Sequence, residues 1–219
     1  MLQIPSALKR FLPKKNWVKT PFPLKWIYPD RVWKIPSRKG KTIYLTFDDG
    51  PTPETTPWVL EQLKEFDAKA TFFCVGKKIK NQPDIFDALK REGHKFGNHT
   101  FSHLDGKTNF EEAYIEDVEK ADSVINSNLF RPPFGRLGKV QEKILLEQGY
   151  KIIMWDVQSK DYDSQTSPEQ CLRNVLKYAS EGSIILFHDT REIEGKLRYV
   201  LPKVLKHFSE KGFRFEGVE

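Results

Sequence analysis

Thr42-Ile43-Tyr44-Leu45-Thr46-Phe47 runs directly into Asp48-Asp49-Gly50-Pro51. The first six residues are rich in β-formers, and the next four are turn-forming, so a short strand is expected to stop at a pair of acids. Thr55–Phe66 then changes period: Val59, Leu60, Leu63 and Phe66 share one helical face. Ala70–Val75 returns to strand, closed by Gly76. Strands are likewise expected at Lys95–Asn98, Leu129–Arg131, Lys151–Trp155, Ser183–Phe187 and Phe213–Glu216. Helices are expected at Asp84–Arg91, Phe110–Asn126, Val140–Glu147, Pro168–Ala179 (begun by Ser167) and Leu197–Ser209. Seven strands with a helix in most gaps imply an α/β fold of parallel strands joined by right-handed crossovers. An open doubly wound sheet and a closed or nearly closed β/α barrel both fit that pattern. No GxGxxG follows the first strand, so dinucleotide binding has no support.

The chemistry-bearing residues fall just after successive strands. Asp48 and Asp49 follow the first strand, His99 and His103 the third, Arg131 the fourth, Asp156 to Asp161 the fifth, and His188 and Asp189 the sixth. In a parallel α/β barrel these ends open onto one face, where active sites form. Adjacent carboxylates repel unless a cation or Arg lies near, and at a strand end their side chains diverge, so the two can do different jobs. By itself Asp-Gly-Pro also reads as a solvated turn. His99 and His103, at i and i+4, are expected on one side of a helical turn, able to hold one metal. With Asp49 they form a His₂Asp set with an open position, the layout of a hydrolytic site. Arg131 precedes Pro132-Pro133-Phe134-Gly135, a rigid turn, and its guanidinium can hold a carboxylate ionised; Asp48 is the natural partner. His188 ends the apolar run Ile184-Ile185-Leu186-Phe187 and can donate a proton near neutral pH.

The net charge of +6 is unevenly spread. Residues 1–41 carry 11 Lys/Arg against Asp30 alone, hence +10, and the remainder is 25 minus 29, or −4. Three of the five Trp (Trp17, Trp26, Trp33) also lie there, among Pro residues that forbid a long amphipathic helix. Residues 1–39 therefore read as a basic, aromatic arm and 40–219 as the catalytic domain. The arm is expected to pack its aromatics on the domain with its lysines facing water; contact with anionic lipid or a polyanionic glycan is the competing reading. Met1–Lys15 lacks the unbroken apolar stretch of a secretory signal, so a cytoplasmic location is expected, or one peripheral to the membrane. No apolar run reaches the roughly 20 residues of a membrane span. Cys74 and Cys171 form no CxxC pair and read as buried free thiols.

Taken in order, Thr46-Phe47-Asp48-Asp49-Gly50-Pro51, His99-Thr100-Phe101-Ser102-His103, Arg131-Pro132-Pro133-Phe134-Gly135, Asp161-Tyr162 and Leu186-Phe187-His188-Asp189 resemble the five motifs of polysaccharide deacetylases, carbohydrate esterase family 4 with its NodB homology domain. The resemblance spans about residues 40–218. It implies a distorted (β/α)7 barrel and a metal-dependent hydrolase that removes N-acetyl groups from an amino-sugar carbohydrate, such as a chitooligosaccharide or peptidoglycan. It further implies that Asp49, His99 and His103 bind the metal, usually Zn2+, with Co2+, Ni2+ or Mn2+ as alternatives. Asp48 would be the general base oriented by Arg131, and His188 the general acid tuned by Asp161. Phe134 would lend its backbone N–H to the oxyanion, and Leu186 would line the acetyl pocket. Two departures bear on the pocket wall: Tyr162 stands where the family usually has Trp, and Phe134 where it often has Tyr. Asp156 and Asp163 compete with Asp161 as the partner of His188. The competing functions are an amidohydrolase or O-acetyl esterase acting on a small metabolite or xylan, and a non-catalytic glycan-binding domain. The expected partner is a carbohydrate and not a nucleic acid, with the chain a monomer.

Overall fold

A computed structural model describes residues 17–36 and 40–219. Its strands are β1 (Arg31–Val32), β2 (Thr42–Asp48), β3 (Ala70–Cys74), β4 (Lys95–Asn98), β5 (Leu129–Phe130), β6 (Lys151–Ile153), β7 (Val157–Gln158), β8 (Ile184–His188) and β9 (Arg214–Phe215). Its helices are α1 (Phe22–Ile27), α2 (Thr56–Glu65), α3 (Gly76–Asn81), α4 (Pro83–Arg91), α5 (Glu111–Ile125), α6 (Lys139–Glu147), α7 (Pro168–Tyr178) and α8 (Glu194–Glu210). The strands run β1-β6-β5-β4-β3-β2-β8-β7, with β9 added on β2, and every named pair is parallel. This is the distorted β/α barrel expected. The seven strands read from the sequence are β2 to β6, β8 and β9.

β2 is buried along its whole length, as a central parallel strand covered on both faces must be. Its alternation decides which face each residue serves. Ile43, Leu45 and Phe47 join Ile185 and Phe187 of β8 in the outer core, against Val59 and Leu63 of α2 and Val200, Leu201 and Val204 of α8. Tyr44 packs in a separate inner cluster with Phe73, Ile153 and Ile184. With a side-chain period of two, Thr46 and Asp48 share the Tyr44 face, and Leu186 and His188 share that of Ile184. Polar residues at even positions of two apolar strands thus point into the barrel. Cys74 and Cys171 are buried and free.

The structure departs from the sequence reading in several elements. Gly76 does not merely close a strand; it opens α3. The strand expected at Lys151–Trp155 stops at Ile153, because the carbonyls of Trp155 and Asp156 are taken by Thr20, through its hydroxyl at 2.7 Å and its amide at 2.8 Å. Residues 17–36 do not lie loosely on the surface. Lys19 bridges antiparallel to Val157 of β7, and β1 pairs with β6. The segment therefore spans the opening between β7 and β6, the two strands that no ladder joins among the described residues. Trp33 is buried, as expected, but Trp26 is exposed. Lys19 and Lys25, expected to face water, converge on the buried carboxylate of Asp156 at 2.6 Å each. A buried carboxylate needs such compensation, and Ser183 Oγ donates a third bond to it at 2.6 Å. Expectations that concern residues 1–16 and 37–39 of the arm lie outside the described residues.

Candidate active site

The ladders align the strand ends. Asp48 is level with His188 on β8, and Asn98 with Cys74 on β3 and Phe130 on β5. Asp48 stands one step short of Asn98, in register with Phe73, so Asp49, His99 and Arg131 start within one residue step of one another on the same rim. Asp48 and Asp49 part company because Asp49 leaves the strand with φ 77°, a left-handed conformation that Asp tolerates better than most residues. The Asp48 carboxylate turns inward to Arg131, whose Nη1 donates to Oδ1 at 2.7 Å. The Asp49 carboxylate turns to the histidines: its Oδ1 lies 3.2 Å from His99 Nε2 and 3.0 Å from His103 Nε2.

Arg131 is fully buried, and each guanidinium nitrogen has an acceptor. Nε donates to the Ile153 carbonyl at 3.0 Å, Nη1 to Thr46 Oγ1 at 2.8 Å as well as Asp48, and Nη2 to the Met154 carbonyl at 2.8 Å. A planar fork held at three corners cannot swing, so the Asp48 carboxylate is fixed with it.

The two histidines do not sit on a helical turn, contrary to the sequence reading. Residues 99–103 form a loop in which Thr100 (φ 62°) and His103 (φ 59°) are left-handed. The loop is held by its neighbours: Asn98 Oδ1 accepts from the Thr100 amide at 2.8 Å, and Asp117 Oδ2 of α5 accepts from the amides of Phe101 (2.9 Å) and Ser102 (2.8 Å). His99 Nδ1 lies 2.6 Å from the Arg131 carbonyl. A carbonyl can only accept, so Nδ1 carries the proton and Nε2 presents its lone pair to Asp49 and His103. Ligand atoms of Asp49, His99 and His103 all lie within 4.8 Å of one another. Burial would raise the Asp49 pKa, but the imidazoles of His103, His99 and His188 around it outweigh burial and hold the carboxyl well below the usual range. One carboxylate and two imidazoles converging on one point, one ring already fixed in the ligating tautomer, fit a divalent metal.

Across the rim, Asp161 Oδ1 accepts from His188 Nδ1 at 2.8 Å, and Oδ2 accepts from the His188 backbone amide at 2.8 Å. Of the three acids considered near His188, Asp161 is the one in contact. Asp156 is committed to Lys19 and Lys25, and Asp163 caps a turn at Gln165 and Thr166. Burial alone would lower the His188 pKa; Asp161, then Asp49 and Asp48, overcome it and push it up to about 10. The imidazole is therefore an acid at neutral pH, with Nε2 left for the pocket. Phe134 has φ 58°, and its ring packs edge-on against His103 with centroids 4.8 Å apart. Tyr162 does the same to His188 at 5.4 Å and donates its hydroxyl to Gln158 Oε1 at 3.0 Å. His103, Phe134, Gln158, Tyr162 and His188 border a hollow of about 260 Å³ together with Asp48, Asp49 and His99, with Leu186 at its wall.

A family model described as polysaccharide deacetylase matches residues 36–153. The chain belongs to the polysaccharide deacetylase family. It is similar to a peptidoglycan-N-acetylglucosamine deacetylase of Bacillus cereus, 33% identical over 85% of this chain and 90% of the relative. It is also similar to a chitooligosaccharide deacetylase of Azorhizobium caulinodans, 35% identical over 70% and 76%. Among solved structures, the crystal structure of the Bc1960 peptidoglycan N-acetylglucosamine deacetylase superposes with a TM-score of 0.83 at 32% identity, over 91% of this chain and 95% of that one. This polysaccharide deacetylase is thus a carbohydrate N-deacetylase.

Two wall residues of the deacetylase were not singled out in the sequence. Trp155 reads there as the end of a strand, and Gln158 as loop between two acids. The signal for Trp155 is Gly135: at φ 65°, a Cβ on it would meet Trp155 Cη2 at 2.7 Å, so the RPPFG turn has its glycine where the indole passes. Asp189, next to His188, is fully buried with Oδ1 unpartnered among the described residues, and burial pushes its pKa up to about 7.

Proposed function

We propose that this deacetylase hydrolyses the N-acetyl amide of N-acetylglucosamine units in a peptidoglycan-type glycan, leaving a free amino sugar and acetate. The observation that carries the reading is the divergence of two adjacent carboxylates, Asp49 into the histidine pair and Asp48 onto a buried arginine. Packing alone gives no reason for that division. The Bacillus cereus relative supports the choice of glycan.

Asp49, His99 and His103 would hold the metal. Zinc suits one carboxylate and two imidazoles with a position left open, and Co2+, Ni2+ and Mn2+ fit the same donors. When bound, the ion supplies Lewis-acid polarisation of the acetyl carbonyl and lowers the pKa of water at the site. The remaining work falls to the chain. Asp48, oriented by Arg131, takes the proton of the attacking water. The backbone N–H of Phe134 offers a donor to the developing oxyanion, and Leu186 bounds the acetyl methyl. His188, protonated and aligned by Asp161, gives a proton from Nε2 to the departing amine. Tyr162, beside His188, shapes the sugar side of the pocket.

Acetate release by the zinc-reconstituted protein from peptidoglycan fragments, chitooligosaccharides and acetylxylan tests this. Release from the first two is expected. Release from acetylxylan alone would make the protein an O-acetyl esterase. Retention of glycan without any release would make it a binding domain.

A further inference from the structure

A second hollow, of about 230 Å³, adjoins the catalytic one. The two share Phe134, Gly135, Trp155 and Gln158 on their linings, so they lie on either side of one ridge. The far side of the second hollow is built by the N-terminal segment, with Trp17, Leu24 and Tyr28 on its lining. None of these three residues lies within the stretch matched by the family model. The segment is fixed in place. Gln158, itself buried, donates its amide to the Trp17 carbonyl and accepts from Tyr162 of the catalytic wall at 3.0 Å. The Gln158 backbone amide donates to the Val18 carbonyl at 2.9 Å, and Lys19 and Lys25 are tied to Asp156. The lining also includes Arg136, paired with Asp105 at 2.6 Å, and Lys107, exposed and with no side-chain partner among the described residues.

We infer that this hollow is a second saccharide subsite, in which the sugar next to the one being deacetylated packs among Trp17, Tyr28 and Trp155, with a carboxylate on that sugar facing Lys107. The inference rests on the reading of the site as a deacetylase of amino-sugar glycans. The C–H faces of a pyranose are apolar and carry partial positive charge, which suits the negative face of an indole or phenol ring. A sugar linked to one held in the catalytic hollow would reach this hollow across the shared ridge. The cation at the rim fits a glycan whose alternate sugars are acidic, as in a repeat bearing a lactyl ether. Gln158 couples the two compartments, because one side chain bonds both to the catalytic wall and to the segment that frames the subsite.

The test compares kcat/KM for three probes on the zinc-reconstituted full chain. p-Nitrophenyl acetate reads the catalytic pocket alone. N,N′,N″-triacetylchitotriose adds neutral neighbours, and a lactyl-bearing peptidoglycan tetrasaccharide adds acidic ones. For Trp17→Ala, the ratio of trisaccharide to p-nitrophenyl acetate kcat/KM is expected to fall about tenfold, carried by KM, the loss of roughly one aromatic contact. Lys107→Ala cannot disturb the packing of the segment. It is expected to lower the tetrasaccharide rate relative to the trisaccharide rate by about two- to fivefold, and to do so less at high salt. Ratios within twofold of wild type for both variants would overturn the subsite. Absence of acetate release from every glycan by the wild-type chain, with p-nitrophenyl acetate still hydrolysed, would instead overturn the deacetylase reading.

Discussion

At the scale of single residues, environment assigns the tasks. His188 carries the clearest pH consequence. Its ordinary value is 6.5, and in the fold it is raised to about 10 by Asp161 against the opposing effect of burial. A raised folded pKa means the His188–Asp161 pair stabilises the fold fully below about pH 6.5, and that contribution is lost as pH rises through about 10. The same direction holds for activity if His188 is the acid. Asp161→Asn removes the largest of the groups that raise the pKa, so the balance shifts toward burial and the alkaline fall of kcat should move to lower pH. A pH–rate profile checks this, and an unmoved alkaline limb would remove Asp161 from the role. His99→Ala should lower bound metal by well over tenfold in elemental analysis, since a ligand matters more than the outer partners whose loss costs about 10–100-fold. The motif residues themselves were legible in the sequence, because acids, histidines and an arginine at strand ends have few structural uses there. The way His99 and His103 meet was not: it depends on two left-handed residues and on Asp117, 14 positions beyond His103.

At the scale of elements, the strands are scaffolding for a level rim, and the joints between them are where substitutions tell. Arg131 sits just beyond β5 and binds two carbonyls beyond its own strand, at Ile153 and Met154, as well as Asp48. Arg131→Ala leaves the Asp48 carboxylate buried and uncompensated. It should cost about 3–5 kcal/mol in urea unfolding, in addition to its effect on rate. Gly182 marks where the N-terminal segment docks. Its φ is 76°, the Ile35 amide donates to its carbonyl at 2.9 Å, and a Cβ there would lie 2.1 Å from the Ile35 carbonyl oxygen. Gly182→Ala should therefore destabilise the protein by at least about 1–3 kcal/mol and loosen residues 31–36, read as faster amide exchange at β1. Unchanged exchange would show that the segment is held elsewhere. Helices and long strands were legible because their periods are strong. β1 and β7 were not: like β5 and β9 they are two residues long, but β1 lies in a basic, Pro-broken stretch and β7 between the acids Asp156 and Asp161, so no apolar run marks either as a strand.

At the scale of the whole molecule, the charge asymmetry of the sequence acquires a partial explanation. Within the described residues, Lys19 and Lys25 of the basic segment neutralise Asp156, and Arg31 forms a two-pronged pair with Glu142 of α6 at 2.7 Å on each prong. The segment thereby bridges the gap in the barrel and frames one wall of the groove. Sequence patterning alone left an open sheet and a barrel equally compatible, and only the order of the strands and the alignment of their ends distinguish the two. The claim on which everything else depends is the division of labour between Asp48 and Asp49. Its most direct test is paired measurement of bound zinc and acetate release from triacetylchitotriose for Asp48→Asn and Asp49→Asn. Asp48→Asn is predicted to keep one zinc per chain while losing about 10²- to 10⁴-fold in kcat, and Asp49→Asn to lose the metal along with activity. An Asp48→Asn protein that releases acetate at near wild-type rate, or that cannot hold zinc, would contradict the account.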